Sequence, residues 1–156
     1  MIPISESVPK RRVPWVTSTL VLICLLLFFY ELMLPARALD RFLQQWGANP
    51  QLILLALAGD PGVPRSELLT RFTSQFLHGG WLHLLGNMIF LWVFGRAVED
   101  YLGHAVFLVI YLLGGAGAGI FQSWVSGPNS TIVLVGASGA IATVLGCYLI
   151  LFPTAW

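Results

Sequence analysis

Residues 76–87 read Phe-Leu-His-Gly-Gly-Trp-Leu-His-Leu-Leu-Gly-Asn and run directly into the purely apolar stretch 88–94. Two histidines and an asparagine thus stand in a segment that reads as a membrane helix. Strongly hydrogen-bonding side chains are costly in hydrocarbon and face a bundle interior or a wet cavity, so such a cluster marks a functional site by default. On a helix His83 and Asn87, four residues apart, share one face, whereas His78 lies about 140° away from it. The expected working pair is therefore His83 and Asn87, with His78 as a structural neighbour.

Composition sets the class. Hydrophobic residues make up 57% of the chain and charged residues 10%, with a mean hydropathy of +0.81, whereas about a quarter of a soluble domain is charged. An integral membrane protein follows. Eight basic and seven acidic residues nearly cancel, and no basic patch is interleaved with aromatics, so no nucleic-acid partner is expected. Cys24 and Cys147 lie in apolar segments and read as small hydrophobes. His78, His83 and His104 lack the spacing and companion ligands of a metal site, so neither metal nor cofactor is expected.

Taken in order, residues 1–14 form a polar tail ending in Lys10, Arg11 and Arg12. Residues 15–34, about twenty and mostly apolar, are long enough to cross a bilayer, with Glu31 near the far end reaching for the interface. Residues 36–71 make a long loop holding four arginines, read either as an element lying in the interface plane or as a solvated loop with an incidental helix. Further spans are expected at about 72–94, 105–125 and 131–152, the second and third joined by a tight polar turn over 95–103. Gly115 and Gly119 stand at helical spacing and invite a close neighbour. Counting basic residues leaves orientation a tie, which the Lys-Arg-Arg cluster tips toward a cytoplasmic N-terminus.

The fourth span contains Gly136-Ala137-Ser138-Gly139-Ala140. A serine framed by glycines near a helix start can present its hydroxyl to a substrate while backbone N–H groups point at a developing oxyanion. Small residues and serine are also what helix packing in membranes selects. With a cytoplasmic N-terminus, Ser138, His83 and Asn87 lie at comparable depth from the same outer side, and Asn and neutral His can both donate to an oxyanion.

The order and spacing of His78, His83 and Asn87, then Gly95-Arg96-Ala97-Val98-Glu99-Asp100-Tyr101-Leu102-Gly103, then Gly136-Ala137-Ser138-Gly139, resemble the rhomboid family of intramembrane serine proteases. The resemblance covers roughly residues 67–152. It implies an all-α, polytopic membrane helix bundle, here four of the usual six spans, forming a partial membrane domain over 15–156. It further implies Ser138 as nucleophile, His83 and Asn87 as oxyanion donors, and Gly136 as the position that lets the chain pack closely at the active site. His78, Arg71, Glu99 and Gly139 become structural residues: His78 supporting the first loop, Glu99 bracing the turn after the second span. Thr70 stands where the family's loop carries a tryptophan before Arg71.

The family draws its general base from a histidine in the sixth span, and no histidine follows Ser138 here. An unactivated serine hydroxyl is a poor nucleophile, so these 156 residues alone are expected not to cleave substrates at a useful rate. Two functions follow. One is a serine endopeptidase acting on peptide bonds in or near substrate transmembrane helices, without cofactor, seen as a truncated or partial chain. The other is a non-catalytic subunit of a larger membrane complex whose glycine-rich helices bind partner helices. The expected location is a bacterial inner membrane.

Overall fold

The computed structural model describes residues 13–130 and 132–153, so residues 1–12 of the expected tail, with its basic cluster, lie outside the described residues. Six helices carry the fold: α1 (Trp15–Met33), α2 (Ala36–Trp46), α3 (Pro50–Ala58), α4 (Trp81–Leu102), α5 (His104–Ser126) and α6 (Ser138–Leu151). The first, fourth and fifth are long and apolar enough to cross a membrane. At 14 residues, α6 is about 21 Å long, short of a hydrocarbon core of roughly 30 Å. The architecture is the all-α membrane bundle expected.

Local chemistry explains most boundaries. Prolines at 14 and 35 bracket α1. Asn49 caps α3, its Oδ1 accepting from the N–H groups of Gln51 (3.0 Å) and Leu52 (3.3 Å), with Pro50 at the first helical position, where its missing N–H costs nothing. The long first loop thus contains two helices. No residue of α2 is buried, although Phe42 meets Tyr30 of α1 edge-on, whereas α3 packs on α5 through its buried Ile53 and Ala56.

Three boundaries differ from expectation. The second span begins at Trp81, not near residue 72, because residues 70–76 form short helical turns and the chain is extended at Leu77 before crossing Gly79 and Gly80. It also continues beyond residue 94: a wide turn over Leu91–Gly95 carries the helix into Arg96–Leu102, where Ala97, Val98 and Glu99 are buried. The expected polar turn is therefore the end of α4. Finally, the helix of the expected fourth span, α6, starts at Ser138 rather than near residue 131, since the preceding residues bond elsewhere.

The core joins Leu20, Cys24 and Phe28 of α1 to Leu84, Leu91 and Val98 of α4, Phe107 and Tyr111 of α5, and Val144 and Tyr148 of α6. Cys24 is a buried free thiol in that core, and Cys147 a half-buried one. The glycines joining α5 to α6 are not the expected pair. A Cβ on Gly114 would fall 2.5 Å from both Thr143 Oγ1 and Thr143 Cγ2, and one on Gly139 would fall 2.6 Å from Ala118 Cβ. Gly115 instead faces Gln75, and Gly119 faces open space. Thr143 is short and β-branched, with no flexible end to swing aside, so Gly114→Val should destabilise the bundle by about 1–3 kcal/mol. At Gly117, where an added Cβ meets nothing, Gly117→Ala should leave thermal unfolding in detergent unchanged or slightly raised.

Glu99, fully buried, ties the first helix to the rest. Its Oε1 accepts from Val16 N–H (2.8 Å) and its Oε2 from Thr17 N–H (2.8 Å) and Thr17 Oγ1–H (2.6 Å). These are first-turn amides of α1, a helix with Pro14 at its N-cap and no side-chain cap of its own. The carboxylate of α4 thus caps α1, placing negative charge at the positive end of the helix dipole. His104 Nδ1 shares Oε1 at 2.6 Å, so Glu99 fastens α1 as well as the α4–α5 junction.

Candidate active site

Ser138 owes its position to the segment before it. Residues 132–135 are apolar and largely β-branched, and Leu134 exchanges two backbone hydrogen bonds with Ala48, at 2.9 and 2.8 Å. Gly136 then donates its N–H to Ser74 O at 2.8 Å with φ +119, a conformation that excludes side chains at low cost. Having spent its length in this extended lead, the chain turns helical only at Ser138. No side chain caps α6, and its first backbone bond runs from Ile141 N to Ala137 O. The amides of Ser138, Gly139 and Ala140 therefore stand at a helix end with the dipole behind them. Ser138 is exposed, and among the described residues its hydroxyl has no hydrogen-bond partner.

From α4 come His83 and Asn87. They line a cavity of about 380 Å³ together with Leu82, Phe90, Ser138 and Ile141. The fit at Gly136 is close: a Cβ there would lie 2.5 Å from His83 Cε1 and 2.6 Å from His83 Nε2, so the Nε2 edge of the imidazole faces the segment leading into Ser138. Asn87 is buried, and its Nδ2 has no hydrogen-bond partner among the described residues. A buried amide donor without an acceptor is uncommon, because it forfeits its hydration. A second cavity of about 310 Å³, also lined by Ser138, runs past Ser74, Gln75, Gly115 and Gly119.

The remaining candidates lie apart from that cavity. His78 is buried and connects to α1, its backbone N–H reaching Glu31 Oε2 at 3.4 Å, while its ring meets the His83 ring edge-on with centroids 5.3 Å apart. His78 lies outside the spans. Burial, and then the charge of His83, hold it below the ordinary histidine range, at about 4, so its ring is neutral at physiological pH. Glu31 does not reach the interface: the residue is 3% exposed and its Oε1 is buried, an arrangement to which the rarity of acidic residues in membrane helices points. Arg71 donates its Nε to Leu68 O (2.8 Å) and lies over the Phe72 ring, serving the loop itself, while the Thr70 hydroxyl closes a turn on Glu67 O. Gly139 is a packing position against Ala118. Gln75, absent from the sequence reading, bridges Arg71 O and Leu112 O through its Nε2. Among the described residues, no three His, Cys, Asp or Glu side chains converge as metal ligands do.

The family model described as the rhomboid domain matches residues 65–156. Among curated proteins, the chain is 41% identical over 91 residues to the putative rhomboid protease YdcA of Bacillus subtilis, covering 56% of this chain and 43% of that protein. It is 42% identical to the chloroplastic Rhomboid-like protein 11 of Arabidopsis thaliana over 44% of this chain and 24% of that one. Against the rhomboid protease GlpG of Klebsiella pneumoniae, identity is 28% over 130 residues, or 83% of this chain and 41% of the relative. The chain spans less than half the length of these relatives.

Proposed function

Because the chain belongs to the rhomboid family of intramembrane proteases and is an integral, multi-pass membrane protein, we propose that it supplies the nucleophile and oxyanion site of a serine endopeptidase that cleaves peptide bonds in or near the transmembrane helices of other proteins. The observation that carries the reading is the unpartnered Asn87 Nδ2 beside the uncapped start of α6. Asn87, His83 and Ser138 line the same cavity, and the first-turn amides of α6 complete the donor set of this reading.

In this mechanism Ser138 Oγ attacks the scissile carbonyl and passes its proton to a base. The carbonyl oxygen, now negative, accepts hydrogen bonds from Asn87 Nδ2–H, His83 Nε2–H and an amide of α6. Donors fixed in place before the reaction stabilise that charge without reorganising, which makes this term large. Collapse, with the base returning its proton to the leaving nitrogen, expels the amine and leaves an acyl-enzyme on Ser138; water, giving a proton to the base, then attacks the ester, and Ser138 Oγ leaves with that proton. The base lies outside the residues that follow Ser138 here, none of which is a histidine. The Lys10-Arg11-Arg12 cluster supports a cytoplasmic N-terminus, and the likeness to the Bacillus protein supports a bacterial plasma membrane.

A second reading, a non-catalytic subunit that binds partner helices, draws support from Gly117 and Gly119, whose faces are open. A serine-directed phosphonate separates the two. Incubated with the full-length protein in detergent and mapped by peptide mass, it should form one adduct on the peptide containing Ser138. Complete absence of that adduct, with a known serine peptidase labelled in parallel, overturns the protease reading.

A further inference from the structure

A buried polar group that the mechanism above leaves idle stands behind His83. Glu31, in the last turn of α1, is 3% exposed, and its Oε1 has no partner among the described residues. Neither ring nitrogen of His78, which is 2% exposed, completes a hydrogen bond among the described residues, although the Phe76 carbonyl acts on that ring. The two residues are already joined, the His78 amide reaching Glu31 Oε2. The His78 ring in turn adjoins the His83 ring, and the Nε2 edge of His83 faces the lead into Ser138. Three buried polar atoms without partners, gathered on adjoining residues beside the site, are far from the ordinary pattern, in which nearly all such atoms are satisfied.

We propose that Glu31, as a carboxylic acid, donates through Oε1–H to one ring nitrogen of His78, whose other ring nitrogen donates to Nδ1 of His83, so that His83 holds its single proton on Nε2, toward Ser138. A small rotation of the rings, or one bridging water at each link, closes the relay. The direction follows from donor arithmetic. A neutral imidazole has one donor and one acceptor nitrogen, so a partner on one nitrogen dictates the role of the other. To give His83 a donor at Nε2, its Nδ1 must accept, His78 must donate to it, and the far nitrogen of His78 must accept in turn. The relay therefore needs a donor at its far end, which a carboxylic acid provides and a carboxylate does not. No salt bridge to Glu31 occurs among the described residues, and a buried charge without a partner is costly. Glu31 is thus a positioning residue that acts through His78, and the inference rests on the proposed role of His83 as an oxyanion donor.

The test is ¹⁵N NMR of the histidine-labelled protein in bicelles, since protonated and bare ring nitrogens differ widely in shift. The three histidines of this sequence are assigned with His78→Phe and His104→Gln variants. Wild type should show His83 protonated on Nε2 alone. Glu31→Gln, whose amide still donates, should keep that pattern, and Glu31→Leu should lose it to a mixture of tautomers. A role confined to packing would not distinguish Gln from Leu in this way. The relay is overturned if wild-type His83 carries its proton on Nδ1, if Leu leaves the pattern unchanged, or if Gln disturbs it as much as Leu does. Should Glu31→Leu fail to fold, His78→Phe decides, because it cuts the relay while leaving Glu31 in place, and retention of the Nε2 proton there refutes the proposal. A relay that responds as expected without a phosphonate adduct on Ser138 refutes the protease reading alone; an adduct with an unresponsive His83 refutes the relay alone.

Discussion

Ser138→Ala in the full-length protein should lower cleavage of a transmembrane substrate by roughly 10³-fold or more, with no measurable change in thermal unfolding. The two halves of that result have separate causes. Activity falls because no other hydroxyl in the cavity occupies the start of α6, and the donors of Asn87 and His83 then surround a site that forms no covalent bond. Stability holds because the hydroxyl being removed is exposed and without a partner among the described residues, and such surface changes stay within about 0.5 kcal/mol. The contrast can be read in one preparation by following substrate cleavage and unfolding together. Equal cleavage by the variant would remove Ser138 from the reaction.

The second large effect lies far from the serine. Glu99→Ala should destabilise the fold by roughly 3–5 kcal/mol, the range for stripping a buried charge from its partners. The alanine leaves the Val16 and Thr17 amides and the Thr17 hydroxyl without their acceptor, each in a place water does not reach easily, at about 1–3 kcal/mol for an unsatisfied donor. It also opens a void between α1 and α4. Glu99→Gln keeps the volume and one acceptor oxygen and should lose about half as much. Unfolding of purified variants in detergent, scored with the Thr17→Val partner variant, would show whether the effects of the two sites are coupled. Additivity between Glu99 and Thr17 would contradict the hydrogen bond that the Thr17 hydroxyl gives Glu99.

Much of this fold follows from local signals. The apolar segments announce the bundle, the four-residue spacing of His83 and Asn87 puts them on one helix face, and glycines on either side of Ser138 mark an unusual helix start. What could not be read locally depends on residues distant in sequence. Arg96, Glu99 and Asp100 look like a solvated turn until the α1 amides that donate to Glu99 are seen. The run from Thr131 to Val135 is as hydrophobic as any span, yet Leu134 pairs with Ala48, a partner no period reveals, and so α6 begins later than hydropathy suggests. Glu31 departs from expectation for the opposite reason. Its place near a helix end invites snorkelling to water, but His78 and the packing around it keep the carboxyl inside.

The Glu99 clasp also bears on the order in which the chain can assemble. The amides of Val16 and Thr17 are made first and their acceptor comes 83 and 82 residues later. During synthesis α1 is therefore made before the acceptor that finishes its first turn. Only when α4 arrives does Glu99 fix its height and rotation together. A helix made well before its partner is thus set in register only when that partner arrives.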